Sequence, residues 1–247
     1  MNPILLNAAI APAAFFVLAL PALRKRENRV WFLALVTASL IDQSATLMPI
    51  ADPALALIKG HWNWSGKIFS LGALLVIAIA LMVSGTFKAR DFGLTFSQAR
   101  GTGQSILFVM IPFLVVIAVL TATMFGSRTP PSPETVYYQS TMPGLAEELS
   151  FRGILLGLQD QMFAGRIRLG GAAIGYGAIA TSFVFGLVHG IQFDSHMALH
   201  VSLGGAAVAG FTGFLLAWLR SQTGSLVLPV IAHNATNVIL ESVPLLA

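Results

Sequence analysis

The sequence predicts an all-α, polytopic integral membrane protein: about eight transmembrane helices in a single domain around an intramembrane polar site. Three observations predict it. Hydrophobic residues make up 56 % of the 247 and charged residues only 10 %, where a soluble domain carries roughly 25 %. With a mean hydropathy of +0.80 the chain cannot wet its own exterior, which must face lipid. Eight stretches approach the length of about 20 apolar residues that spans a bilayer, and the ionisable residues inside them gather in the C-terminal half.

The spans fall at about 3–23, 30–50, 68–86, 104–126, 137–160, 172–190, 196–219 and 225–245. The first is followed by Arg24, Lys25, Arg26 and Arg29, the reverse of a cleavable signal peptide, so it reads as a true span. The second carries a lone Asp42, read as structural and without an evident partner. Trp62 and Trp64, in the second loop, read as interfacial anchors without chemistry. The fourth and fifth spans are separated by 126–133, too rich in proline to be helical. The fifth is the least apolar, because Glu147, Glu148 and Arg152 lie inside it. No repeat or composition break divides the chain, so 1–247 is one transmembrane domain, with N-terminal spans in 1–126 and a core in 137–245.

Composition also excludes several classes. The 23 Gly show no three-residue period, and the absence of Cys removes a disulfide framework, a thiolate metal site and a cysteine nucleophile. The net charge of +4 does not mark a nucleic-acid partner, because the basic residues are scattered over short loops. Alternate loops carry ten of them (Arg24, Lys25, Arg26, Arg29; Lys88, Arg90, Arg100; Arg166, Arg168; Arg220), against three (Lys59, Lys67, Arg128) on the other side. The positive-inside rule then places both termini outside the cytoplasm.

An ionisable side chain at bilayer depth costs about 2.5–3.5 kcal/mol on insertion scales, so each needs a reason. Glu148 and Arg152 are four apart on one helical face and can pair. Glu147 is rotated by about 100° from Glu148 and lacks that partner, which favours a general base. His189, at the outer end of the sixth span in Phe185-Gly186-Leu187-Val188-His189, reads alone as interfacial. His233 and Asn237 share a face and can either glue helices together or present two donors to an oxyanion. His196 and His200 resemble half a zinc site, but Met197 stands where a zinc-protease helix carries its Glu, so the pair reads as the polar start of the seventh helix. Together these residues supply a base, a second proton-handling group and an oxyanion stabiliser, enough to cleave an amide with water.

Glu147-Glu148-x-x-x-Arg152, Phe185-x-x-x-His189 and His233-x-x-x-Asn237 resemble the three ordered motifs of the CPBP family of intramembrane proteases, which includes the type II CAAX prenyl endopeptidases and the bacterial abortive-infection (ABI) proteins. Gly153, Gly224-Ser225-Leu226 and Asp91-Phe92-Gly93-Leu94 agree with it; the likeness is densest over 140–240, and the first three spans add only hydropathy. The resemblance implies a glutamate-dependent endopeptidase in which Glu147 activates water with His189 and His233 and Asn237 form the oxyanion hole. Glu148, Arg152 and Phe185 support the site.

No cofactor is expected. Were a divalent ion such as zinc required, Glu147, His189 and His233 are the ligands to expect. The partners are the bilayer and a protein or peptide substrate, membrane-anchored or lipidated substrates included. The charge bias puts Glu147 about 10 residues, or roughly 15 Å, from the outer end of the fifth span, away from a cytosolic prenylated substrate. A bacterial inner-membrane protease processing exported or membrane proteins is therefore expected. Alternatives of other classes are a proton- or ion-coupled transporter and a non-catalytic scaffold.

Overall fold

In the computed structural model, which describes residues 3–125 and 130–242, each of the eight predicted stretches contains a helix. Helix α1 is Pro3–Ala19, α2 is Arg29–Ala51 and α3 is Trp64–Val83. Helix α4 is continuous through Thr102–Ser105, a π-helical turn at Ile106–Met110, and Ile111–Phe125. A short α5, Pro133–Gln139, starts on Ser132, whose side chain accepts from Thr135 N–H. Helix α6 follows without a break through Met142–Glu148, the π-helical Leu149–Leu155 and Leu156–Met162. Helices α7 (Tyr176–Gly190), α8 (Leu203–Thr223) and α9 (Val227–Ser242) complete the chain. Arg128 lies outside the described residues.

Among the described residues, five segments are long and apolar enough to cross a membrane: Pro3–Arg24, Arg26–Ala51, Trp64–Val83, Thr102–Thr123 and Leu203–Thr223. Leu33, Val76, Phe108, Val119 and Phe211 point outward from them, as a lipid-facing surface requires. The other three predicted spans are helices that fall short of that standard. The fifth is broken at Ser140-Thr141, and its longer part, α6, is buried and carries four charged side chains. The sixth and eighth shrink to the 15 residues of α7 and the 16 of α9.

The fold is not purely helical. Strands β1 (Arg166–Leu169) and β2 (Ala172–Gly175) form an antiparallel hairpin, as do β3 (Ile191–Phe193) and β4 (Leu199–Val201). Gly170 and Gly171 close the first at φ 56° and 93°, where a Cβ would be strained. The second corrects the helical reading of His196 and His200. His196 sits in the turn, and His200 on β4 meets Asp194 Oδ2 through Nε2 at 2.9 Å. Three acceptor contacts converge on Asp194, from His196 N–H, Ala198 N–H and His200, and they hold a turn where a helix was expected.

Alternate loops do share an end of the molecule. At one end Asn28 Nδ2 donates to Met162 O (3.4 Å), Arg166 pairs with Asp160 (3.0 Å) and Arg220 Nη2 donates to Arg90 O and Asp91 O (3.1 and 3.0 Å). At the other, Asn7 Nδ2 donates to Phe193 O (2.9 Å) and the loop containing Trp62 docks on α5.

Two packing features position the core helices. A Cβ at Gly186 or Gly190 of α7 would collide with Ala206 of α8, so small residues let these helices approach backbone to backbone. Phe92, fully buried in the turn Ala89–Phe92, fits against Gly153 and Gly157 of α6, where a Cβ would crowd it. Leu226 N donates to Gly93 O at 3.0 Å and Ser225 Oγ to Thr95 O, fastening the start of α9 to the same turn.

Candidate active site

Three helices bring the quoted motif residues together: α6 carries Glu147, Glu148 and Arg152, α7 carries Phe185 and His189, and α9 carries His233 and Asn237. Glu148 and Arg152 are both fully buried and pair at 2.8 Å. The same Glu148 oxygen meets His233 Nδ1 at 2.7 Å, so one carboxylate ties α9 to α6. Arg152 stacks on the Phe185 ring, 4.4 Å from its centroid, and that ring meets His189 at 4.3 Å and His233 at 5.9 Å. Phe185 thus spaces a guanidinium and two imidazoles.

The hydrogen bonds assign the imidazoles. His189 Nδ1 lies 2.8 Å from Phe185 O, a pure acceptor, so Nδ1 carries the proton and Nε2 is left with a lone pair. His233 Nδ1 faces a carboxylate already paired with Arg152, so it too is the donor, and Nε2 points the other way. His233 Nε2 lies 3.8 Å from Glu147 Oε2. His189, His233 and Asn237 line one cavity of about 290 Å³, closed on other sides by Ile117, Val208 and Leu240. Glu147 and His189 line a second, more polar cavity of about 150 Å³. His189 stands between the two.

Glu147 is not unpartnered, as its helical phase had suggested. Lys67 Nζ lies 2.7 Å from its Oε1. Lys67, expected as an outer-loop charge, sits in the first turn of α3. Asp42 also has partners: Ser70 of α3 and Ser150 of α6 both donate to it. Glu147 also stands nearer the start of its helix than the predicted span placed it. Helix α6 begins at Met142, five residues before it, about 8 Å along the axis.

Asn234 is a further residue that the sequence analysis did not single out. Its Oδ1 accepts from Gly144 N at 2.8 Å and its Nδ2 donates to Thr141 O at 3.3 Å. These bonds satisfy backbone groups at the start of the helix that carries Glu147. A Cβ at Gly144 would overlap Asn234. A signal existed: an Asn inside an apolar span needs a polar partner as much as a His does.

The surroundings of Trp62 and Trp64 also go beyond interfacial anchoring. Trp62 stacks on Tyr138 at 5.0 Å and donates to Thr135, while Trp64 donates to Glu134. The Glu134 carboxyl is held below the usual carboxylate range by backbone N–H groups of His61 and Trp62.

Glu147, His189 and His233 fit a zinc ion poorly. Glu147 Oε1 is taken by the Lys67 ammonium group. Among the described residues no group of three His, Cys, Asp or Glu side chains is arranged to hold a metal ion.

Residues 129–239 match the family model for type II CAAX prenyl endopeptidase Rce1-like proteins. No curated protein and no solved structure matches the chain. The matched segment contains every motif residue above but excludes Asp42 and Lys67.

Proposed function

We propose, from the match of residues 129–239 to the type II CAAX prenyl endopeptidase Rce1-like family model, that the chain is an intramembrane endopeptidase in which Glu147 activates the hydrolytic water. The observation that carries this reading is the division of labour at Glu147. Its Oε1 is neutralised by Lys67 at 2.7 Å, while Oε2 faces His233 Nε2 at 3.8 Å on the side of the imidazoles. One oxygen is therefore left to take a proton.

The remaining roles follow from donor and acceptor inventory. Glu147 removes a proton from water, assisted by the lone pair on His189 Nε2, as the water oxygen bonds to the scissile carbonyl carbon. His233, in its protonated form and backed by Glu148, donates through Nε2 to the oxyanion, and the Asn237 amide supplies a second donor. The C–N bond breaks as the proton passes to the leaving amine, giving a carboxylate and an amine.

The substrate proposed is a membrane-associated or exported protein or peptide. Glu147 near the start of α6, Lys67 near the start of α3 and His189 near the end of α7 lie toward the end away from the ten basic loop residues. By the positive-inside rule that end is non-cytoplasmic. An apolar groove of about 490 Å³, lined by Leu71, Leu75, Leu145 and Leu149 among others, runs beside the helix that carries Glu147 and supports a lipid-modified substrate.

Comparative mapping of peptide termini in membranes holding wild-type or Glu147→Gln protein tests this reading. Cleavages present only with the wild type are expected. Paired synthetic peptides, with and without an S-prenylated C-terminal cysteine, then identify the modification read. Identical termini in the two membranes would remove the peptidase reading.

A further inference from the structure

We propose that Lys67 is a positioning residue of the active site, supplied by spans outside the family-matched segment and held in register by Asp42. The inference rests on the assignment of Glu147 as the base.

The construction begins at α3. Asn63 caps it, accepting from Gly66 N at 3.0 Å, and its Nδ2 donates to Thr46 O of α2 at 2.7 Å. A Cβ at Gly66 would collide with Thr46 O, so only glycine lets the first turn of α3 lie this close to α2. Lys67 is the next residue, and its ammonium reaches Glu147.

Asp42, buried on α2, closes the arrangement. One of its oxygens accepts from Ser70, three residues beyond Lys67; the other accepts from Ser150, three residues beyond Glu147. A single carboxylate thus bonds one turn along from each member of the pair, and locks α3 to α6 in the register that sets Lys67 against Glu147. Because Oε1 is fixed from the α3 side, the carboxylate can turn only Oε2 toward His233. Lys67 does not touch the reacting atoms; it acts through Glu147.

Carbodiimide treatment of the detergent-solubilised full chain, followed by mass spectrometry, tests the geometry without a substrate. A zero-length amide cross-link between Lys67 and Glu147 is expected; modification of Glu147 with Lys67 left uncoupled would overturn the pairing. Kinetics test the role, using an internally quenched peptide built on a mapped cleavage site. Lys67→Gln should lower kcat about 100-fold with KM unchanged, and Lys67→Arg should restore it to within about tenfold. Should Lys67→Gln not fold, Asp42→Asn, which keeps both members of the pair and loosens the register, is expected to lower kcat in the same way. A normal kcat in whichever variant folds overturns the inference. Glu147→Gln run alongside separates the two claims: if it is active the base assignment fails, and if it is inactive beside a normal Lys67→Gln only the role of Lys67 fails.

Discussion

Arg152 Nη1 and His233 Nδ1 converge on the same oxygen of Glu148, at 2.8 and 2.7 Å, in a site where Glu148 and Arg152 have no exposed surface. This three-way junction joins α6 to α9. Removing either charge leaves the other buried, at a cost of about 3–5 kcal/mol. Glu148→Ala and Arg152→Ala should therefore each lower the melting temperature in detergent as well as the activity. Melting unchanged from wild type in both variants would show the pair to be solvated.

Gly144→Ala addresses the fastening of α6 to α9. The added methyl group overlaps Asn234, whose Oδ1 accepts from Gly144 N. Overpacking of this kind costs about 1–3 kcal/mol. The variant should be less stable and should turn over more slowly, because Glu147 lies one turn further along α6 from Gly144. Wild-type melting and turnover would show that this contact sets nothing.

The Trp62 loop should report the protonation of Glu134. Its carboxyl is held low by backbone N–H groups of His61 and Trp62, and Trp64 Nε1 donates to it at 3.1 Å. A depressed folded pKa stabilises the contact above the unfolded value, and the gain is lost as pH falls through the folded one. Tryptophan fluorescence should therefore change with a midpoint below the usual carboxylate range, and Glu134→Gln should abolish that transition. A midpoint at or above the ordinary value would remove the loop contact.

Chelation tests the poor fit to a metal. With Glu147 Oε1 held by an ammonium group, the purified enzyme should keep its activity after exhaustive chelation and hold substoichiometric zinc. Loss of activity on chelation, with recovery on adding zinc, would reassign Glu147, His189 and His233 as ligands.

Much of this arrangement was legible in the sequence, and the misses have physical causes. Glu148 and Arg152 follow from helical periodicity, because i,i+4 residues share a face. The hairpin at Asp194 did not, because several backbone and side-chain donors converging on one carboxylate are invisible to hydropathy. Lys67 was read as loop charge because it lies just outside the apolar window; its partner is 80 residues away, and nothing local announces it. Asp42 showed no evident partner in the sequence, because Ser70 and Ser150 carry no charge to mark them. Three of the eight predicted stretches fall short of the length and apolarity that mark a crossing helix, because a buried helix needs neither: α6 is shielded by protein and carries four charges.

The central claim is that Glu147 takes the proton of the hydrolytic water. The most direct measurement is steady-state turnover of purified, full-length Glu147→Gln on a peptide the wild type cleaves, with melting followed in the same preparation. The amide keeps the shape and cannot act as the base, so kcat should fall by about 10²–10⁴-fold while the protein stays folded. Turnover close to wild type in a folded Glu147→Gln protein would contradict the account.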